Sequence, residues 1–152
     1  SMEVSPLALL LSCLCKGIVI TPKKETKMKK LIAFFEIPAT DFRRAVDFYE
    51  TVLNMKLPVF ECEQEKMACF TEDGETVGAI SQSFDLLPDF QPSEKGVLIH
   101  FNTDNIATTL ERVLQKGGKV LIPCTKIEAD GKGYFAVFAD SEGNRIGIYA
   151  DK

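Results

Sequence analysis

Apolar residues occur along this chain either in continuous runs or at helical spacing, and the same succession of these two patterns occurs twice. Residues 31–37 (LIAFFEI) are an almost unbroken apolar run, the pattern of a buried strand. Thr40-Asp41 can cap a helix, and apolar residues then recur at helical spacing until Asn54, which can take the left-handed conformation that ends a helix. Three further strands are predicted at 56–61, 67–70 and 76–81, with a turn at 72–74.

The same order of elements returns about 63 residues later. A second apolar run, 97–101 (VLIHF), precedes Thr103-Asp104, which we expect to cap the second helix. Gly117-Gly118 ends that helix, and strands are predicted at 119–122, 134–139 and 145–150. The sequence therefore predicts two βαβββ modules, with one extra residue between strand and helix in the first.

The repeat divides the chain into four segments. Residues 1–27 are predicted to be an appendage that need not belong to the natural start, 28–82 the first module, 83–95 a linker and 96–152 the second module. The linker is polar, yet it carries four large apolar side chains, those of Phe84, Leu86, Leu87 and Phe90. We expect it to pack on the protein, to form a lid or to make a subunit contact.

Composition narrows the possible functions. The chain has 152 residues and a net charge of −4, which argues against a nucleic-acid partner. No apolar run approaches about 18 residues, so no membrane-spanning helix is expected. Its five cysteines are irregularly spaced and do not indicate a disulfide framework, so we expect thiols in a cytoplasmic protein. A single histidine excludes sites built from several histidines.

Several short segments resemble the vicinal oxygen chelate superfamily, which includes glyoxalase I, bleomycin-resistance proteins and extradiol dioxygenases. The resemblance covers about residues 29–150. Within the superfamily, the sequence is similar to the glyoxalase-related subgroup, whose members mostly lack a defined reaction. It implies an α+β fold in which two βαβββ modules form an incomplete mixed barrel around a cleft, and a homodimer. The segments that carry it are 36–41 (EIPATD), 45–49 (AVDFY), 117–120 (GGKV), 133–135 (GYF) and 140–144 (DSEGN).

The resemblance also implies where a divalent metal would bind. Metal enzymes of the superfamily take one ligand from the first and one from the last strand of each module. The matching positions here are Phe34, Ala79, Leu98 and Gly147, and none of these side chains can coordinate a metal. We therefore expect no metal and no other cofactor.

Other polar residues lie two positions away from these four residues, along the same predicted strands. Because side chains alternate across a strand, Glu36 shares a face with Phe34, and His100 with Leu98. We predict Glu36 and His100 as catalytic residues. We predict Arg145, Tyr134, Tyr149 and Phe34 as ligand-binding residues.

Structural alternatives exist for each of these residues. Glu36 could instead form a structural ion pair, for instance with Arg145. His100 could be a core histidine bonded to a backbone carbonyl. Tyr134 could be a strand aromatic, and Arg145 a solvated charge at a sheet edge.

Three functions remain open, all with a small-molecule ligand. The first is a metal-independent enzyme in which Glu36 and His100 move protons, as in lyase or isomerase chemistry next to a carbonyl. The second is a drug-sequestering, resistance-type binding protein, and the acidic balance of residues 28–152 would suit a cationic drug. The third is a metal-dependent, lactoylglutathione lyase-like lyase or a dioxygenase.

Overall fold

The computed structural model describes residues 31–83, 89–128, 131 and 133–152. The predicted α+β class and the two βαβββ modules are confirmed. The elements follow in the order β1 Phe35–Pro38, α1 Phe42–Val52, β2 Val59–Cys62, β3 Glu65–Glu72, β4 Glu75–Ser83, β5 His100–Asn102, α2 Ile106–Gln115, β6 Lys119–Lys126, β7 Tyr134–Ala139 and β8 Arg145–Ala150.

Each module forms its own four-stranded mixed sheet. The strand order is β1-β4-β3-β2 in the first sheet and β5-β8-β7-β6 in the second. In both, the strand before the helix pairs in parallel with the last strand of the module, and all other pairs are antiparallel. Consequently β1 and β5 lie at the edges of their sheets.

The positions of the helix caps show that the spacing from strand to helix is the same in both modules. The Asp41 carboxylate accepts a hydrogen bond from the Arg44 amide, as predicted. The predicted cap at Thr103-Asp104 is wrong, because the side chain of Asn105 accepts from the Thr108 amide instead. Asp41 therefore follows Glu36 by five positions, as Asn105 follows His100, so the extra residue predicted for the first module does not exist.

Helix α1 lies between the two sheets. The rings of Phe48 and Phe138 of the second sheet are 5.9 Å apart, whereas Tyr49 contacts Phe70 of the first sheet at 5.6 Å. Phe70 also lies 5.4 Å from Phe101 of the second sheet, so the inward faces of both sheets meet in one core. Each sheet thus has one face in this shared core and one face directed away from it.

Buried polar contacts join the modules at one end of this core. The Tyr49 hydroxyl donates to Asp140 at 2.5 Å, and the Asn144 amide donates both to Asp140 and to the Pro38 carbonyl. Burial raises the pKa of Asp140, while hydrogen bonds from Tyr49 and Asn144 lower it again. These bonds stabilise a carboxyl that would otherwise be costly to bury.

Several predictions fall on cysteines and on residues outside the described ranges. Cys69 is a buried thiol and Cys124 an exposed one, but Cys62 takes part in a disulfide, so the expectation of thiols is wrong at Cys62. The appendage 1–27 and linker residues 84–88 lie outside the described residues, and Phe90 is partly buried. None of the described helices has the length and apolar character needed to cross a membrane.

Replacing Tyr49 by Phe should test the junction. The variant leaves the buried Asp140 without its hydroxyl donor, so the free energy of unfolding should fall by about 1–3 kcal/mol. The matched control is Tyr134→Phe, because Tyr134 packs on the same core and its hydroxyl has no hydrogen bond to any described residue. Chemical denaturation that finds equal losses in both variants would contradict this role.

Candidate functional site

The predicted site residues lie on the two sheet faces that point away from the shared core. We define the first outer face as the outward residues of β1, β3 and β4, and the second outer face as those of β5, β7 and β8. The first contains Phe34, Glu36, Glu65, Met67, Cys69, Ala79 and Ser81, and the second contains His100, Asn102, Phe135, Val137, Arg145, Gly147 and Tyr149.

Two carboxyls and a hydroxyl form the centre of the first outer face. The Ser81 hydroxyl lies 3.0 Å from Oε1 of Glu36 and 3.1 Å from Oε1 of Glu65. Glu65 and Ser81 are buried at 4% and 1% exposure, whereas Glu36 is only partly buried. Of the two carboxyls, Glu36 is therefore the one that a ligand can reach.

This geometry favours a shared proton. A hydroxyl carries one hydrogen, so if both carboxyls were ionised, one of the two short contacts would join two acceptors. A proton on one carboxyl turns that contact into a hydrogen bond to the Ser81 oxygen. Burial raises the pKa of Glu36 and, with the nearby Glu36 charge, that of Glu65, while the Ser81 hydrogen bond lowers both.

The surroundings of this group are apolar. Met67, Cys69 and Ala79 are fully buried beside it, and Phe34 packs against them. Burial raises the pKa of the Cys69 thiol to about 11, so it is not a ready nucleophile. Phe34 therefore lies on the same face as Glu36, as the alternation predicted.

The second outer face has a matching arrangement around His100. His100 pairs in register with Gly147, just as Glu36 pairs with Ala79. The imidazole lies directly over Gly147, where any Cβ would collide with the ring, so only glycine leaves room for it. The Phe135 ring approaches His100 edge-on at 6.4 Å, and His100 is otherwise exposed rather than a core histidine.

The predicted ligand-binding residues are distributed unevenly. Arg145 and Tyr149 lie on the second outer face with His100. Tyr134 packs on the shared core, so the structure does not bring it to Arg145. The suggested ion pair between Glu36 and Arg145 is absent, because Glu36 bonds Ser81 while Arg145 donates to the Gly96 carbonyl.

Within one chain the structure does not bring Glu36 and His100 together. Their neighbours Phe35 and Phe101 both point into the shared core and lie 5.9 Å apart. Because side chains alternate along a strand, Glu36 and His100 point away from that core, on its two opposite sides. The expected single cleft with both residues is therefore not complete in one copy.

Sequence reasoning missed Glu65 and Ser81. Glu65, Met67 and Cys69 alternate along β3, so the pattern could have placed Glu65 on the outward face. It could not show that Glu65 meets Glu36 through Ser81, because strand register decides that contact.

The donor set does not fit a divalent metal at the four positions that the superfamily uses. Phe34, Ala79, Leu98 and Gly147 offer no coordinating side chain. Within the described part of the chain, no three His, Cys, Asp or Glu side chains cluster closely enough to hold an ion.

A polar cavity of about 580 Å³ lies where α1 ends and α2 begins. Its polar lining includes the side chains of Asn54, Asn102, Asn105 and Tyr149, and Arg112 adds a cation. The Tyr149 hydroxyl already donates to Asp151 at 2.9 Å. Glu36, His100 and Arg145 do not line this cavity, which meets the second outer face only at Asn102 and Tyr149.

Sequence comparison identifies the family. Residues 31–148 match the model of the Glyoxalase/Bleomycin resistance protein/Dioxygenase superfamily, and the chain belongs to this superfamily. A glyoxylase-like domain-containing protein from Didymella fabae is 29% identical over 123 residues, covering 77% of this chain and 91% of that protein.

Solved structures support the same fold. A glyoxalase/bleomycin resistance protein from Albidiferax ferrireducens T118 has a TM-score of 0.60 at 14% identity, covering 80% of this chain and 98% of that one. A glyoxalase I mutant from Zea mays has a TM-score of 0.58 at 16% identity, covering 78% of this chain. This chain spans only 45% of that maize chain.

The buried carboxyl should make stability depend on pH. A carboxyl with a raised pKa binds more protons in the folded state than in the unfolded state, so stability falls as pH rises from about 4.5, the ordinary glutamate pKa, through the raised value. Glu65→Gln mimics the protonated form and should escape this loss. The variant should therefore gain stability over the wild type across that window, and the gain should level off above it.

Denaturation series from about pH 4 to about pH 8 would check this expectation. Glu72→Gln, at an exposed position of the same strand, is the matched control. A wild-type curve parallel to that of Glu65→Gln would contradict proton retention at this site.

Proposed function

We propose that this protein transfers a proton to or from a small carbonyl compound, with Glu36 as the acid or base and without an obligatory metal. The observation that carries the proposal is the contact of one Ser81 hydroxyl with both Glu36 and Glu65. This group can hold a proton at a partly exposed carboxyl. The reaction would be of the lyase or isomerase type.

The burial of the two carboxyls gives them different roles. General acid–base catalysis works best when the pKa of the catalytic group is near the working pH, and burial moves the pKa of Glu36 in that direction. Glu65 lies behind Ser81 and is buried, so it is a positioning residue that acts through Ser81. The apolar neighbours Phe34 and Met67 would exclude water from the bound ligand.

A second copy of the chain would complete the cleft. The two outer faces lie on opposite sides of the core, and β1 and β5 are edge strands whose outer edges pair with no other described strand. In a homodimer, β1 of one copy beside β5 of the other would set Glu36 opposite the partner's His100. The imidazole could then hydrogen-bond the carbonyl whose neighbouring proton Glu36 moves.

Deuterium exchange would test proton transfer without knowledge of the complete reaction. Pyruvate and hydroxyacetone have exchangeable protons next to a carbonyl, and proton NMR in D₂O reports their loss. We expect the protein to accelerate exchange of at least one of them, and Glu36→Gln to slow it by roughly 100-fold or more. Glu72→Gln should retain the wild-type rate, and EDTA should not change it.

Two results would contradict the proposal. Exchange that is equal in Glu36→Gln and wild type would remove Glu36 from the chemistry, and binding without any exchange would favour a sequestering protein. Exchange that EDTA abolishes and added metal restores would instead indicate the metal-dependent alternative.

A further inference from the structure

Arg145 is the one guanidinium or ammonium cation among the described residues of the second outer face. It begins β8, and its side chain is directed to the same side as Gly147, away from the core residues Ile146 and Ile148. His100 lies over Gly147, the next outward position along the strand. The guanidinium and the imidazole therefore share one surface, about two residues apart along β8.

The guanidinium of Arg145 is poorly satisfied by the protein. One terminal nitrogen donates to the Gly96 carbonyl at 3.2 Å, which fixes the position of the side chain. Its Nε is buried and has no hydrogen-bond acceptor in the described part of the chain. The ion pairs of the described residues involve other cations, so no described carboxylate neutralises Arg145.

The carboxylates of Asp140 and Glu142, which precede Arg145 in the sequence, accept hydrogen bonds from other side chains. On the other side, Asp151 follows Arg145 by six positions, or about 20 Å along an extended chain. Its Oδ1 already accepts from Tyr149. A guanidinium that no described carboxylate neutralises is suited to an anionic oxygen from outside the chain.

We infer that Arg145 binds an anionic group of the ligand, so that the protein takes a small organic acid rather than a neutral or cationic compound. This inference rests on the proposed function and names its substrate class. His100, beside Arg145, would then meet the carbonyl next to the anionic group. The two outer faces of the cleft differ in charge, because the carboxyls lie only on the first.

The net charge of −4 would instead suggest a cationic ligand. The charges that line the cleft argue against a cationic ligand, because a bound ligand contacts the two faces of the cleft and not the whole protein surface. A protonated Glu36 would not repel an anion held by Arg145 on the opposite face. A cation, in contrast, would lie beside an unpaired guanidinium.

Binding of four compounds of similar shape tests the inference. Benzoate, phenyl phosphate, benzamide and benzylamine carry a carboxylate, a phosphate, a neutral amide and an ammonium group. Ligand-observed NMR titration should show wild-type protein binding at least one of the two anions about tenfold or more tightly than benzamide, and benzylamine most weakly. Comparison of the two anions distinguishes carboxylate from phosphate.

Variants then test whether Arg145 causes the preference for anions. Arg145→Gln should abolish the preference for the anion, and Arg145→Lys should restore part of it by returning the charge without the planar fork. Arg43→Gln, at an exposed position of α1, removes the same charge elsewhere and should leave the preference unchanged. Thermal unfolding of each variant confirms that it folds.

Failure of this inference and failure of the proposed function give different results. Equal or tighter binding of benzamide or benzylamine by the wild type would overturn the inference, and so would a preference that survives Arg145→Gln. Exchange of hydroxyacetone that requires Glu36, without exchange of pyruvate, would overturn it while the proposed function stands. Absence of exchange with both compounds would overturn the proposed function itself.

Discussion

The shared core between the two sheets is the constraint on which the rest of the structure depends. Helix α1 contacts both sheets through neighbouring residues, with Phe48 against Phe138 and Tyr49 against Phe70. The Tyr49–Asp140 hydrogen bond closes one end of this core. Because each sheet uses one face for this packing, only the opposite face of each remains for chemistry.

That division explains where the polar residues lie. On β1 the core takes Ile37, and the outward position between Phe35 and Ile37 is Glu36. On β8 the core takes Ile146 and Ile148, and Arg145 and Gly147 point outward. The repeat places Glu36 and His100 at equivalent positions, but the packing of the modules separates them within one chain.

The two outer faces have complementary chemistry. The first holds two carboxyls around Ser81, in a setting where burial favours the protonated form. The second holds an imidazole and a guanidinium that lacks a protein counter-ion. A cleft made from one face of each kind would contain a proton source, a carbonyl-binding donor and an anion receptor, as expected for chemistry on a small organic acid.

Local patterns predicted the modules, the Asp41 cap, the left-handed Asn54 and the common face of Phe34 and Glu36. Each of these depends on residues close together in the sequence. The second helix cap was wrong because Asp104 and Asn105 are both good caps, and the pattern does not decide between adjacent residues. Contacts such as Glu36–Ser81–Glu65 and Arg145–Gly96 depend on register and on loop position, which hydrophobic periodicity does not report.

The most direct test of the central claim is to mix two variants. If each cleft combines the first face of one copy with the second face of another, Glu36→Gln and His100→Gln homodimers have two damaged clefts each. A hybrid dimer of the two has one cleft with both changes and one intact cleft. The account predicts that the purified hybrid regains about half of the wild-type deuterium exchange per dimer, and a hybrid no more active than its parents would contradict it.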